Sequence, residues 1–133
     1  MINKILEWLE KANKDLEAAK ILLEKIPEIS AYHSQQAVEK YLKAYLVSEN
    51  KDFPKTHNIY FLLELCIELD SKFKKLRKIG IEKLTRYAFV RYPGTFSVDM
   101  EEAKKALEIA EKVKDFISKK IKQRIKELKN RRL

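Results

Sequence analysis

The sequence predicts an all-α protein, an antiparallel up-and-down bundle of four to five helices. Three observations predict it. Only two Gly and three Pro punctuate 133 residues, and these are the residues that most often cut helices. Apolar residues recur at three- and four-residue spacing over long stretches, as one face of a helix requires. No segment alternates with the period of two that a half-buried strand would show.

The first helix is expected over residues 3–25, with Ile5, Leu9, Ala12, Leu16, Ala19 and Leu23 as its stripe, and Leu6 and Trp8 widening it. Pro27 is expected to end it. The second runs from residue 28 to about 49. Ala31, Val38, Leu42 and Tyr45 form one apolar ridge there, and Ala37, Tyr41 and Ala44 another. So wide an apolar arc predicts a central helix that touches several neighbours or a second subunit. Residues 50–55 form a turn barred to helix by Pro54, and Thr56 is the expected N-cap of a third helix to about residue 69. A fourth is expected over 73–91 with a weak point at Gly80, stopped by Tyr92-Pro93-Gly94. Asp99 with Glu102 three residues on reads as a capping box for the last helix. Its seam of Ala103, Leu107, Ala110, Val113, Ile117 and Ile121 alternates four and three.

Charge is unevenly placed. The chain carries 29 Lys and Arg against 20 Asp and Glu, a net +9. Residues 119–133 and residues 72–91 each hold +7, which leaves the remainder at −5. Two basic blocks on a mildly acidic body imply attraction to phosphates or to an acidic partner. The alternative for the C-terminal block is a solvated, frayed helix end whose cations suit the macrodipole. The 37% of charged residues also fits a protein from a hot environment. The single Cys66 sits in an apolar run and cannot form an internal disulfide. No apolar stretch approaches a membrane span and no signal pattern opens the chain, so it reads as cytoplasmic.

Chemistry concentrates in two places. The second helix carries Gln36, Glu39, Lys40 and Lys43 among small and aromatic residues, and the Phe53-Pro-Lys-Thr-His57 turn follows within ten residues. Lys55, Thr56 and His57 flank the N-terminus of the third helix, where unpaired N–H groups attract phosphate. With Gln36, Lys40, Lys43, Arg86, Arg91 and Tyr92 they make a candidate nucleotide- or phosphate-binding set. Tyr41, Tyr87 or Tyr92 offers a ring for a base. A simpler reading exists for several of these: Glu39 and Lys43 are a favourable i,i+4 pair, and Arg91, one turn after Tyr87, is placed to stack on that ring. No metal site is expected, because two histidines 24 residues apart and one cysteine match no familiar zinc spacing. No cofactor beyond a possible nucleotide ligand is implied.

In its second-helix run His33-Ser-Gln-Gln-Ala-Val-Glu-Lys-Tyr-Leu-Lys-Ala44, in the Phe53-Pro-Lys-Thr-His57 turn and in Arg91-Tyr-Pro93, the chain resembles the HEPN domain family. Lys14-Asp-Leu-Glu-Ala-Ala19 of the first helix fits as well. The resemblance implies one domain over 1–122, similar to nucleotidyltransferase-substrate-binding domains, with 123–133 as a basic helical extension or tail. It implies a homodimer, often beside a nucleotidyltransferase-like partner in a toxin–antitoxin pair, binding a nucleotide or RNA.

Many members of that family carry Arg-x(4–6)-His as a metal-independent ribonuclease site. Here no Arg precedes either His33 or His57, and Lys51-x5-His57 is the nearest imitation. Lysine holds a phosphate as a point charge but lacks the two-pronged guanidinium geometry. The sequence therefore favours a binding module over an enzyme, with His57 and Arg91 as the weak catalytic candidates. The alternatives are a ribonuclease toxin with a degenerate site and a structural adaptor that docks an acidic partner.

Overall fold

The computed structural model describes residues 1–94 and 96–131, and no strand occurs among them. Helix α1 spans Ile2–Leu22, α2 Pro27–Ser48, α3 Ile59–Leu69, α4 Lys74–Lys78 and α5 Met100–Asn130. Ser71–Phe73 and Ile81–Phe89 are 3₁₀ turns on either side of α4.

α1 and α2 form an antiparallel hairpin. Its contacts descend α1 as they climb α2: the Ser30 hydroxyl donates to the Ala19 carbonyl at 2.6 Å, His33 meets Asp15, and the Tyr41 hydroxyl donates to Asn13 at 2.5 Å. Ile5, Ala12, Leu16 and Ala19 are buried as expected, but Leu6 is 48% exposed and lies outside the stripe. Pro27 does not end α1, which already stops at Leu22. It opens α2 at the first helical position, where its missing N–H costs nothing.

α2 is the central rod, packed by α1, α3, α5 and the Ile81–Phe89 segment. Both of its apolar ridges are buried within one chain. The wide arc is thus covered without a second subunit, and it supplies no reason of its own for a dimer.

The chain goes up and down in alternating strokes, but two return strokes are not long helices. The first is the stretch 49–58, which climbs back along α2 until His57 stands beside Glu39. Asn50 makes the reversal with φ +55°, a left-handed conformation that asparagine tolerates. Thr56 does not cap α3. Its hydroxyl accepts from the Asn58 N–H at 3.0 Å, and the Asn58 side chain takes the cap by accepting from Phe61 N–H at 3.2 Å. The helix therefore starts later than the sequence predicts.

The second return stroke is Ser71–Phe89. The expected single helix breaks at Gly80, whose φ of +88° ends α4. Beyond it Ile81, Leu84, Tyr87 and Val90 are buried at a strict spacing of three, the period of a 3₁₀ helix rather than an α-helix.

α5 keeps its whole predicted seam buried. Asp99 accepts from the Glu102 N–H at 2.8 Å, but the Glu102 carboxylate turns away to accept from the Tyr87 hydroxyl at 2.8 Å, so the capping box is one-sided. The helix runs without a break through residue 122 to Asn130. Arg124 ties it to the end of α2 by donating to the Ser48 carbonyl at 3.1 Å. Of the basic extension, residues 132–133 lie outside the described residues.

Candidate functional site

On α2, Tyr32, Gln36, Glu39 and Lys43 share one side of the helix. Glu39 is the hinge of the arrangement. Its side chain is only 2% exposed, yet both oxygens are occupied: His57 Nδ1–H donates to Oε1 at 2.8 Å, and Lys43 Nζ donates to Oε2 at 3.3 Å. A buried carboxylate is tolerable only when it is paired and hydrogen-bonded in this way. Lys43 is itself buried, with its ammonium 5.6 Å from the Trp8 ring centre and 5.9 Å from that of Phe53. The two rings meet edge to face at 6.1 Å.

Bonding through Nδ1 leaves Nε2 as the free ring nitrogen, an acceptor in the neutral ring and a donor in the imidazolium. His57 is 73% exposed. A carboxylate-oriented imidazole of this kind is the usual preparation for proton transfer.

Arg91 approaches the same place from the end of the second return stroke. Its guanidinium lies 4.4 Å from the centre of the Tyr32 ring, a cation–π contact. The expected stacking partner, Tyr87, is instead beneath Arg86, at 5.7 Å. Arg91 and Tyr92 follow a 3₁₀ segment whose turn is tighter than an α-helix, which rotates Arg91 off Tyr87 and over α2.

Tyr32, Gln36, His57, Ala88, Phe89, Arg91 and Tyr92 line a cleft of about 120 Å³. A second hollow of about 300 Å³ adjoins it, lined by Thr56, His57, Asn58, Thr85, Ala88 and Phe89. His57, Ala88 and Phe89 belong to both. Phe89 and Tyr92 are 61% and 57% exposed at its rim.

The structure thus brings together Gln36, Thr56, His57, Arg91 and Tyr92 of the predicted set. It separates four others. Lys40 turns to α1 and pairs with Asp15 at 2.5 Å. Lys43 touches the site only through Glu39. Arg86 lies over Phe96 at 4.0 Å, beside Glu102, in a different hollow of about 580 Å³. Lys55 is exposed on the turn and lines neither half of the cleft. Tyr41 is buried against Asn13, and both burial and Asp15 hold its hydroxyl far above its ordinary pKa, so its ring is not available to a base.

Tyr32 and Phe89 were missed. Tyr32 stands one turn before Gln36, and that spacing carries the signal; Phe89 breaks the three-residue apolar period and therefore points out. Among the described residues no three His, Cys, Asp or Glu side chains gather to hold a metal ion. No helix among them is long and apolar enough to cross a membrane.

A family model for the HEPN domain matches residues 5–121. The chain belongs to the HEPN domain family. The crystal structure of an archaeal HEPN homologue superposes with a TM-score of 0.69 at 21% identity, covering 88% of this chain and 97% of that one. At that identity the likeness speaks for the fold. No curated protein matches the chain. As a member of the HEPN family, the helical domain is of a nucleotide- and RNA-related kind.

Proposed function

We propose that this HEPN domain binds the phosphate of a nucleotide or of RNA in the cleft between α2, the 49–58 stretch and the end of the second return stroke. The observation that carries the reading is the meeting of Arg91 and His57, from opposite return strokes, on one cleft beside Gln36. The guanidinium, and the imidazole in its protonated form, supply charge-assisted donors to phosphate oxygens. Phe89 and Tyr92, exposed at the rim, offer ring faces of the kind on which unpaired bases stack. The inner cleft is too small for a whole nucleotide, so the ligand extends across His57 into the adjoining hollow.

The expected result is that Arg91→Ala and His57→Ala each weaken binding of a fluorescent oligoribonucleotide by about tenfold, the loss of ~1.4 kcal/mol. Unchanged affinity in both variants overturns the reading. Family membership extends it to a homodimer working beside a nucleotidyltransferase-like protein in a toxin–antitoxin-type pair. Sedimentation as a strict monomer of 15.8 kDa overturns the dimer.

The Glu39–His57 pair favours a second reading, metal-independent RNA cleavage by this degenerate ribonuclease site. His57 Nε2 would take the proton of a 2′-hydroxyl as its oxygen bonds to the adjacent phosphorus, the P–O5′ bond would break with the 5′-oxygen protonated by water, and Arg91 would stabilise the charge that develops on the phosphate. Incubation of RNA in excess chelator decides it: cleavage lost in His57→Ala supports the reading, and equal or absent cleavage in native protein and variant removes it.

A further inference from the structure

We infer that the last third of α5 is a second nucleic-acid site, separate from the cleft, which holds the sugar–phosphate backbone without regard to base. Lys119, Lys122, Lys126 and Lys129 recur at spacings of three, four and three and are all exposed, so they form one row along the helix. The row is about 15 Å long at the helical rise. At the ~3.4 Å between phosphates along one strand of a duplex, a row of that length spans about four phosphates.

Three features set this row apart from an ordinary solvated helix face. First, the helix is anchored rather than frayed: Lys120 pairs with Asp70, and Arg124 bonds Ser48 and reaches Glu49 at 3.7 Å. Second, the local acids are already taken. Glu127, the one acidic residue between 119 and 131, is held by Arg124 at 3.2 Å. No ion pair joins any of the four row lysines among the described residues. Third, the other basic block reaches the same end of the bundle. The Phe73 ring packs on Phe116 at 5.0 Å and Asp70 bonds Lys120, which leaves Lys72, Lys74 and Lys75 exposed nearby.

An acidic protein is the other polyanion to consider, and the surface fits it less well. Protein interfaces are anchored by large apolar or aromatic side chains, and none is exposed on α5 after Met100 among the described residues. The same lack of rings means that bases are not stacked here. The contact is therefore to backbone, and its signature is counterion release.

The test is the salt dependence of binding of a fluorescent 20-nucleotide oligouridylate. Replacing the row, K119Q/K122Q/K126Q/K129Q, is expected to lower the slope of log K against log salt by about 2.8, four contacts at ~0.7 each. A control with the same change in net charge, K4Q/K11Q/K20Q/K25Q, lies largely on α1 and is expected to lower it by less than about 1. Both variants are first checked for native helicity. Equal slopes in the two variants, or no change in the row variant, overturn the inference. So does polyglutamate of equal charge binding the native chain as tightly as the RNA. Arg91→Ala in the same assay reports on the cleft alone, so the two sites fail or stand separately.

Discussion

Asp15 and Glu39 each hold one histidine and one lysine: His33 and Lys40 for the first, His57 and Lys43 for the second. Both histidines bond through Nδ1, at 2.9 and 2.8 Å. Their surroundings differ. His33 is 27% exposed and has the Tyr32 ring edge-on at 5.3 Å, whereas His57 is 73% exposed and opens on a cleft with Arg91 across it. The carboxylates differ in the other sense, Glu39 being 2% exposed and Asp15 13%. One cluster fastens α1 to α2. The other invests a deeply buried charge in holding an imidazole at the surface. Similar chemistry thus serves assembly where the histidine is covered and leaves an imidazole open to solvent where it is not.

The largest expected effect that separates them is on stability. Glu39→Ala leaves Lys43 buried without its anion, at a cost of about 3–5 kcal/mol. Asp15→Ala, in a wetter setting, is expected to cost about 1.5–3 kcal/mol. Urea unfolding at unchanged m measures both, and an equal loss would erase the distinction. Next comes ligand response. His57→Ala is expected to cost about tenfold in oligoribonucleotide affinity and His33→Ala less than about twofold, measured by anisotropy; the reverse order would move the site to Asp15. A finer probe is Trp8, the one tryptophan, which lies beneath Lys43. Its emission should shift in Lys43→Met and stay put in Lys40→Met. The smallest effect concerns Asp70, a carboxylate held by Lys120 with no imidazole. The hydrogen bond from Lys120 is the main cause that lowers its pKa. Its contribution to stability is therefore complete above the ordinary carboxylate range and is lost as pH falls through the depressed value. Asp70→Asn should remove that part of the acid dependence in urea titrations below about pH 4.

The helices and the α5 seam were legible because a 3.6-residue apolar period states which face is inside. The 3₁₀ stretch was legible in principle, since Ile81, Leu84, Tyr87 and Val90 repeat every three residues, but a helix breaking at one glycine reads in sequence as a helix with a weak point. The site was half legible. His57, Gln36 and Arg91 do meet, while Lys40 does not join them. At about 100° per residue, Lys40 stands only about 40° round α2 from Gln36. That small angle decides between Asp15 and the cleft, and it depends on where α1 lies. Arg91 was assigned the wrong ring for a related reason, because an α-helical turn was assumed where the backbone is wound tighter.

The meeting of His57 with Glu39 depends on the ten-residue path from Ser48 back up the side of α2. A residue inserted or deleted in that path would leave every helix intact and still withdraw the imidazole from its carboxylate. Loop length is therefore a control knob on this scaffold. A designer could use it to retire the imidazole while keeping the rest of the molecule unchanged, without substituting a single side chain.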